Sequence, residues 1–211
     1  MKLIVISQQS QLEIEPYQVI KMFEQGLPTF HLRKPKFSTK QVQKYLDLIP
    51  EKYHKRIVIH SHHKLALKYD LKGVHLTKTH KKRPFKTRIT LFRLRLKNKH
   101  LFLTASANRF SSLIEGDENY QYDYVFLSPV FDSHSGKYHS GFTEQVLMNN
   151  IPKSQFDVIA RGGVDISKIA KAKEIGFAGV AFYTGLWNEA DPVLAFADII
   201  SRCKELGIKV E

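Results

Sequence analysis

Four stretches of the chain gather side chains that bind anions or move protons. FHLRKPKF places Arg33 between apolar residues and a basic pair, Lys34 and Lys36. The planar guanidinium fork matches two phosphate oxygens at once, so Arg33 reads as a phosphate or diphosphate ligand, with His31 beside it. IVIHSHHK brings His60, Ser61, His62 and His63 into one short loop. Three imidazoles suggest a metal, but the spacing matches no zinc signature and no carboxylate or cysteine lies nearby. Hydrogen bonding to a substrate by His60, or helix capping by Ser61, is the simpler reading, and no metal ligands are assigned. DYVFLSPVFDSHSGKYHSGF offers Ser133, Ser135, Gly136, Lys137 and Ser140. Hydroxyls, loop amides and one lysine form a candidate diphosphate cradle. VIARGGVD and GVAFYTGLW supply Gly162, Gly163, Tyr183 and Thr184, where bare backbone lets a phosphate approach the amides. Thr104, inside LTASANRF, is a further candidate for substrate contact.

These residues become a site only if the fold brings them together. Eight short, apolar, β-branched runs recur along the chain: Lys2–Ile6, Thr29–Arg33, Arg56–His60, Gly73–Leu76, Leu101–Ala105, Tyr124–Ser128, Val158–Arg161 and Gly179–Tyr183. Continuous apolar runs of this length fit strands buried on both faces. Helix signals separate them. Glu15-Pro16 opens one helix, Ser38 caps another, Asp165 begins a third that stops near Gly176, and Asp191-Pro192 starts the last. Alternating strand and helix predicts an α/β chain with a parallel sheet, and eight repeats predict one (β/α)8 barrel over residues 1–211. One unit is irregular. THKKRPFKTRITLFRLRLKNKH shows no clear amphipathic stripe, and Arg93–Leu96 alternates, so a basic loop or hairpin is expected in place of the fourth helix. In such barrels ligands bind where strands end and βα loops begin, which is where most of the candidates above fall.

Composition sets the outer limits. The chain has 211 residues, 43% hydrophobic and 25% charged, as in ordinary globular proteins. The first apolar run, of about four residues, is too short for a secretion signal. No stretch approaches the roughly 18 apolar residues of a membrane span. The single Cys203 rules out an internal disulfide or a cysteine cage. A soluble, cytoplasmic protein is expected. The net charge of +13 points to anionic partners. Ten Lys and Arg residues crowd between Lys78 and Lys99, and no acid occurs from Leu71 to Ile114. Phosphorylated small molecules fit this charge better than nucleic acid, for which no recognition motif is present.

The series FHLRKP, IVIHSHHKLAL, KGVHL, DYVFLSPVFDS, IARGGV and GFAGVAF resembles, in order and spacing, the thiamine-phosphate synthase family with its thiazole tautomerase relatives. The resemblance spans nearly the whole chain. It implies a cytoplasmic transferase of thiamine biosynthesis on a TIM barrel. Such an enzyme joins hydroxymethylpyrimidine diphosphate to a thiazole phosphate and releases pyrophosphate. It further implies assistance from Mg2+ and a homodimer. By position, Arg33, Ser133, Ser135 and Lys137 match the diphosphate site, with Arg33 and Lys137 in catalytic roles. Gly162, Gly163, Tyr183 and Thr184 match the thiazole-phosphate site.

Several matched positions differ. The family's Gln before the Arg is His31, its Lys after it is Pro35, its Asn-Asp pair is His60-Ser61, and its second magnesium Asp falls near His80. The tautomerase His falls near Ser106. A diverged thiazole-phosphate isomerase and a non-catalytic phosphate-binding barrel are therefore the alternatives.

Overall fold

The structure, a computed structural model, describes residues 1–10, 13–132 and 140–211. Eight parallel strands close into a barrel in sequence order: β1 (Lys2–Ile6), β2 (Thr29–Leu32), β3 (Ile57–Ile59), β4 (Gly73–Leu76), β5 (Phe102–Ala107), β6 (Tyr124–Leu127), β7 (Val158–Arg161) and β8 (Gly179–Phe182). Closure comes from β1 against β8, with Lys2 opposite Gly179 and Val5 opposite Phe182. Strand side chains alternate between the two sheet faces. Leu3, Val5, Phe30, Leu32, Val74 and Leu76 join the large core under the helices. Ile4, Ile6, Tyr124, Phe126, Ile159 and Ala181 pack together as a second cluster, inside the barrel.

The outer elements are α1 (Glu15–Glu24), α2 (Thr39–Asp47), α3 (Leu65–Lys68), α4 (Lys78–Lys81), α5 (Pro84–Lys97), α6 (Ser111–Ile114), α7 (Glu144–Asn150), α8 (Ile169–Ile175), α9 (Thr184–Trp187) and α10 (Pro192–Glu205). Ser38 begins α2 with a reciprocal cap. Its hydroxyl accepts from the Gln41 amide at 3.3 Å, and Gln41 Oε1 accepts from the Ser38 amide at 2.8 Å. Asp191 caps α10, accepting from the amides of Val193 and Leu194. Gly176 ends α8 at φ 96°, a conformation a side chain would oppose. Asp165 caps a 3-10 turn (Ile166–Lys168) that leads into α8.

The segment after β4 differs from its sequence expectation. It is neither loop nor hairpin but the 14-residue helix α5, preceded by the single turn of α4. Only Thr87, Leu91 and Leu94 are buried, while Phe85, Phe92 and Leu96 face out. The outward apolar residues hide the narrow i, i+4, i+7 stripe from a periodicity reading. Pro84 at the first turn and a run of Leu, Arg and Lys, all good helix formers, favour the helix. No helix among the described residues is long and apolar enough to cross a membrane.

Candidate active site at the barrel mouth

The C-terminal ends of the strands converge on a basic mouth floored by imidazoles. Ser7, just past β1, fixes the first basic group. Its hydroxyl accepts from the Arg33 amide at 2.7 Å and donates to the Arg33 carbonyl at 3.1 Å. This pair of bonds holds the backbone that carries the half-buried Arg33 side chain. Arg161, at the end of β7, lies with its guanidinium 5.9 Å from the Phe126 ring centre. Burial and, after it, the Arg33 charge bring the Arg161 pKa down to about 10. Nearby Tyr183 works the other way. Among the described residues, neither guanidinium has a carboxylate partner. Two adjacent cations without a counter-charge are destabilising alone and favour an anion between them.

Beneath them lie three buried histidines from adjacent strands. His31 Nδ1 is 2.9 Å from His60 Nε2, and His31 Nε2 is 2.5 Å from the Tyr124 hydroxyl. The His60 and His75 rings stack at 4.1 Å between centres. Thr104 Oγ1 bonds His75 Nδ1 at 2.9 Å, and Ser106 Oγ lies 3.2 Å from His75 Nε2. Burial is the chief reason that all three imidazoles have pKa values well below the ordinary range. The positive charge of Arg161 adds to the effect on each. They are neutral at pH 7, each able to donate from one nitrogen and accept at the other.

The sequence candidates divide accordingly. Arg33 and His60 come together at the mouth, with His31 one layer deeper. Thr104 is closed off from solvent and its hydroxyl bonds His75 Nδ1, so it positions that ring. Ser61 is not a helix cap, because α3 begins after Lys64. His62 and His63 have partners outside the His31–His60–His75 trio's side chains. His62 bonds Thr39 and the Phe37 carbonyl, while His63 bonds the His75 carbonyl and stacks on His80. Lys34 is unavailable to a ligand. It is 1% exposed and bonds Glu15 Oε2 at 2.5 Å and the Ser10 carbonyl at 2.8 Å. Ser133, Ser135 and Lys137 lie outside the described residues.

Gly162 and Gly163 occupy left-handed backbone at φ 87° and 65°. A Cβ on Gly163 would stand 2.3 Å from the Asp132 carbonyl oxygen and 2.4 Å from that of Phe131. The β7 loop thus packs directly on the β6 loop, and the Phe131 amide donates to the Gly162 carbonyl at 3.1 Å. Among the described residues, no bond from the Gly162 or Gly163 amides is seen. Tyr183 and Thr184 follow as the entry to α9, which is tied to β1 by the Trp187 indole donating to the Ile6 carbonyl at 2.7 Å.

Sequence reasoning missed Arg161, His75, Ser7 and Tyr124. Period-2 alternation through IARGG and KGVHL carried the signal for the first two, since it aims both inward when read as barrel strands.

A family model described as thiamine monophosphate synthase matches residues 3–186. The chain belongs to this family. The solved thiamine phosphate pyrophosphorylase from Bacteroides thetaiotaomicron superimposes with a TM-score of 0.74 at 27% identity, covering 98% of each chain. That from Pyrococcus furiosus gives the same TM-score at 17% identity, over 97% of this chain and 96% of that one. (S)-3-O-geranylgeranylglyceryl phosphate synthase from Thermoplasma acidophilum shares the fold at 13% identity and a TM-score of 0.69, over 97% and 93% of the two chains. A search of the curated proteins finds none that matches.

The family is generally Mg2+-dependent. The residues present do not fit that ion, which takes hard oxygen ligands and carboxylates. Ser140 donates its amide to Asp132 at 2.6 Å, and Asp165 is engaged by Ser167. The segment 133–139 contains no acid.

Proposed function

We propose that the chain is a thiamine-phosphate synthase-like transferase that joins hydroxymethylpyrimidine diphosphate to a thiazole phosphate. The observation that carries the reading is the pair Arg33 and Arg161, adjacent, half-buried and without an acid between them. In this reaction the bond from the pyrimidine methylene carbon to the diphosphate oxygen breaks, and both electrons leave with pyrophosphate. The thiazole ring nitrogen then donates its lone pair to the methylene cation. Developing charge on the leaving diphosphate is the main demand, and preformed cations meet it better than a proton donor.

In this reading Arg33 and Arg161 grip the diphosphate, aided by Lys137, Ser133 and Ser135, which follow β6 in the sequence. Gly162, Gly163, Tyr183 and Thr184 receive the thiazole phosphate on backbone amides and a hydroxyl. His60, at the floor of the mouth, hydrogen-bonds the pyrimidine. Family membership and the 27% identity to a solved pyrophosphorylase support this reading.

A second reading has its own observation. The run Tyr124–His31–His60 is hydrogen-bonded end to end. Rotation of the Tyr124 hydroxyl, with tautomer exchange in His31, would switch the outer nitrogen of His60 between donor and acceptor. A poised imidazole of this kind suits proton movement on a thiazole phosphate, as in an isomerase.

The test is a steady-state assay with both substrates, with and without Mg2+, following thiamine phosphate. Product supports the transferase. No product from folded protein, with proton exchange on bound thiazole phosphate seen by NMR, moves the assignment to the isomerase.

A further inference from the structure

The geometry points to a transition-metal site formed by His31, His60 and His75, holding one Zn2+-class ion through three imidazole nitrogens, with the fourth position left to an anionic oxygen. Nothing in it depends on which reaction the barrel performs.

The ligand nitrogens of the three residues all lie within 4.8 Å of one another. A tetrahedral zinc ion at about 2.0–2.1 Å from each nitrogen spaces them roughly 3.3 Å apart. The His31–His60 pair, at 2.9 Å, is already near that spacing. The His60 and His75 rings are stacked, 4.1 Å between centres and 18° between planes, so one of them must rotate to bring its in-plane lone pair onto a shared ion.

The supporting contacts are those of a metal site. A ligating histidine commonly has its other nitrogen held by a hydrogen bond, which fixes tautomer and ring orientation. The Tyr124 hydroxyl holds His31 Nε2, leaving Nδ1 for the ion. The Thr104 hydroxyl holds His75 Nδ1, leaving Nε2, which Ser106 Oγ would yield to the ion. His60 offers Nε2, the atom that now faces His31. The three rings come from the ends or bodies of three successive strands, so the barrel itself fixes their spacing. Barrel interiors are ordinarily filled by branched aliphatic side chains, and three buried imidazoles in a row depart from that pattern.

Donor chemistry selects the ion. Three imidazoles and no carboxylate suit Zn2+, Co2+, Ni2+ or Cu2+ and not Mg2+. Charge selects the remaining ligand. The ion would carry two positive charges close to Arg161 and Arg33, with only neutral protein ligands. An anionic oxygen, such as one from phosphate, offsets that repulsion and fills the open position that three-ligand sites keep.

The experiment uses the full chain without a histidine tag. Protein is stripped with a chelator, loaded with Zn2+, gel-filtered and analysed for metal. A parallel sample is titrated with Co2+ and followed by visible absorption. Expected are one equivalent of bound Zn2+ and the intense bands of four- or five-coordinate Co2+, shifted by inorganic phosphate. Excess Mg2+ should not compete. The double variant His60→Ala/His75→Ala should lose binding, His62→Ala should keep it, and Tyr124→Phe should weaken it about tenfold. Less than a tenth of an equivalent of Zn2+, or full retention of metal by a folded double variant, overturns the site. If the double variant does not fold, the wild-type Co2+ spectrum decides. Weak six-coordinate bands like those of the free ion also overturn it.

Discussion

His31 and His60 share a 2.9 Å hydrogen bond inside the barrel, and a second bond of 2.5 Å continues from His31 to the Tyr124 hydroxyl. The tautomer of His60 is therefore coupled through His31 to the Tyr124 hydroxyl. Tyr124→Phe strands His31 Nε2 in a dry interior, at a cost of about 1–3 kcal/mol. Denaturant unfolding should show that loss, and 15N chemical shifts should report a changed tautomer at His60. Unchanged shifts would mean that the run does not act as a unit.

Arg33 and Arg161 are expected to dominate anion binding. Either Arg→Ala change should weaken pyrophosphate binding by roughly 10- to 100-fold, in line with the worth of charge-assisted bonds. The measurement is calorimetric titration at fixed ionic strength. Arg161→Ala should not lower stability, because it removes a half-buried charge that the Arg33 cation repels. Affinity equal to wild type in both variants would remove the pair from the site.

The Glu15–Lys34 pair is structural. Burial raises the Glu15 pKa, against the lowering effect of Lys34 and of the Tyr45 hydroxyl, which donates to Oε1 at 3.1 Å. Lys34→Met leaves a buried carboxylate unpaired and should cost about 3–5 kcal/mol. Adding Glu15→Gln should recover much of that loss. A double variant no more stable than Lys34→Met, in thermal unfolding, would contradict the pairing.

Stability should fall on mild acidification. Burial holds His63 down at about 3, and His31, His60 and His75 are lowered too. The unfolded chain binds protons on these groups near pH 6.5, and the folded chain does not. Their stabilisation is fully present above pH 6.5 and declines below it, by up to about 1.4 kcal/mol per pH unit for each histidine. For His63 the decline continues to about pH 3. Urea midpoints between pH 7.5 and 5 check this. A flat profile would mean that the imidazoles are protonated in the fold.

Gly163→Ala should be strongly destabilising. A methyl group there meets two backbone oxygens within 2.4 Å, at a φ that also disfavours a side chain. A loss of about 2–4 kcal/mol is expected by chemical denaturation. Wild-type stability would show that the β6 and β7 loops separate easily.

The barrel itself was legible because each strand is a short apolar run bounded by turn signals, and all eight fall within two residues of their expected limits. Ser38, Gly176 and Asp191 act as the caps their types suggest. The helix α5 was not legible, because only one narrow stripe of it is buried and its outer face is as apolar as its inner one. Local motif picks out Arg33 and the glycine pair, which lie just past the ends of β2 and β7. The His31–His60–His75 trio was not legible in this way, since its members lie 29 and 15 residues apart and meet only through strand register. His62 and His63 crowd the same loop, yet His62 bonds Thr39 and the Phe37 carbonyl while His63 packs on His80. The fate of Lys34 depended on Glu15, which no local pattern links to it.

The most direct measurement is a crystal structure of the full chain with pyrophosphate and thiazole phosphate bound. Pyrophosphate is expected between Arg33 and Arg161, and the thiazole phosphate on the amides of Gly162 and Gly163 beside Thr184. Both anions found instead against Lys64, Arg83 and Lys86, outside the barrel mouth, or absent at saturating concentration, would contradict this placement.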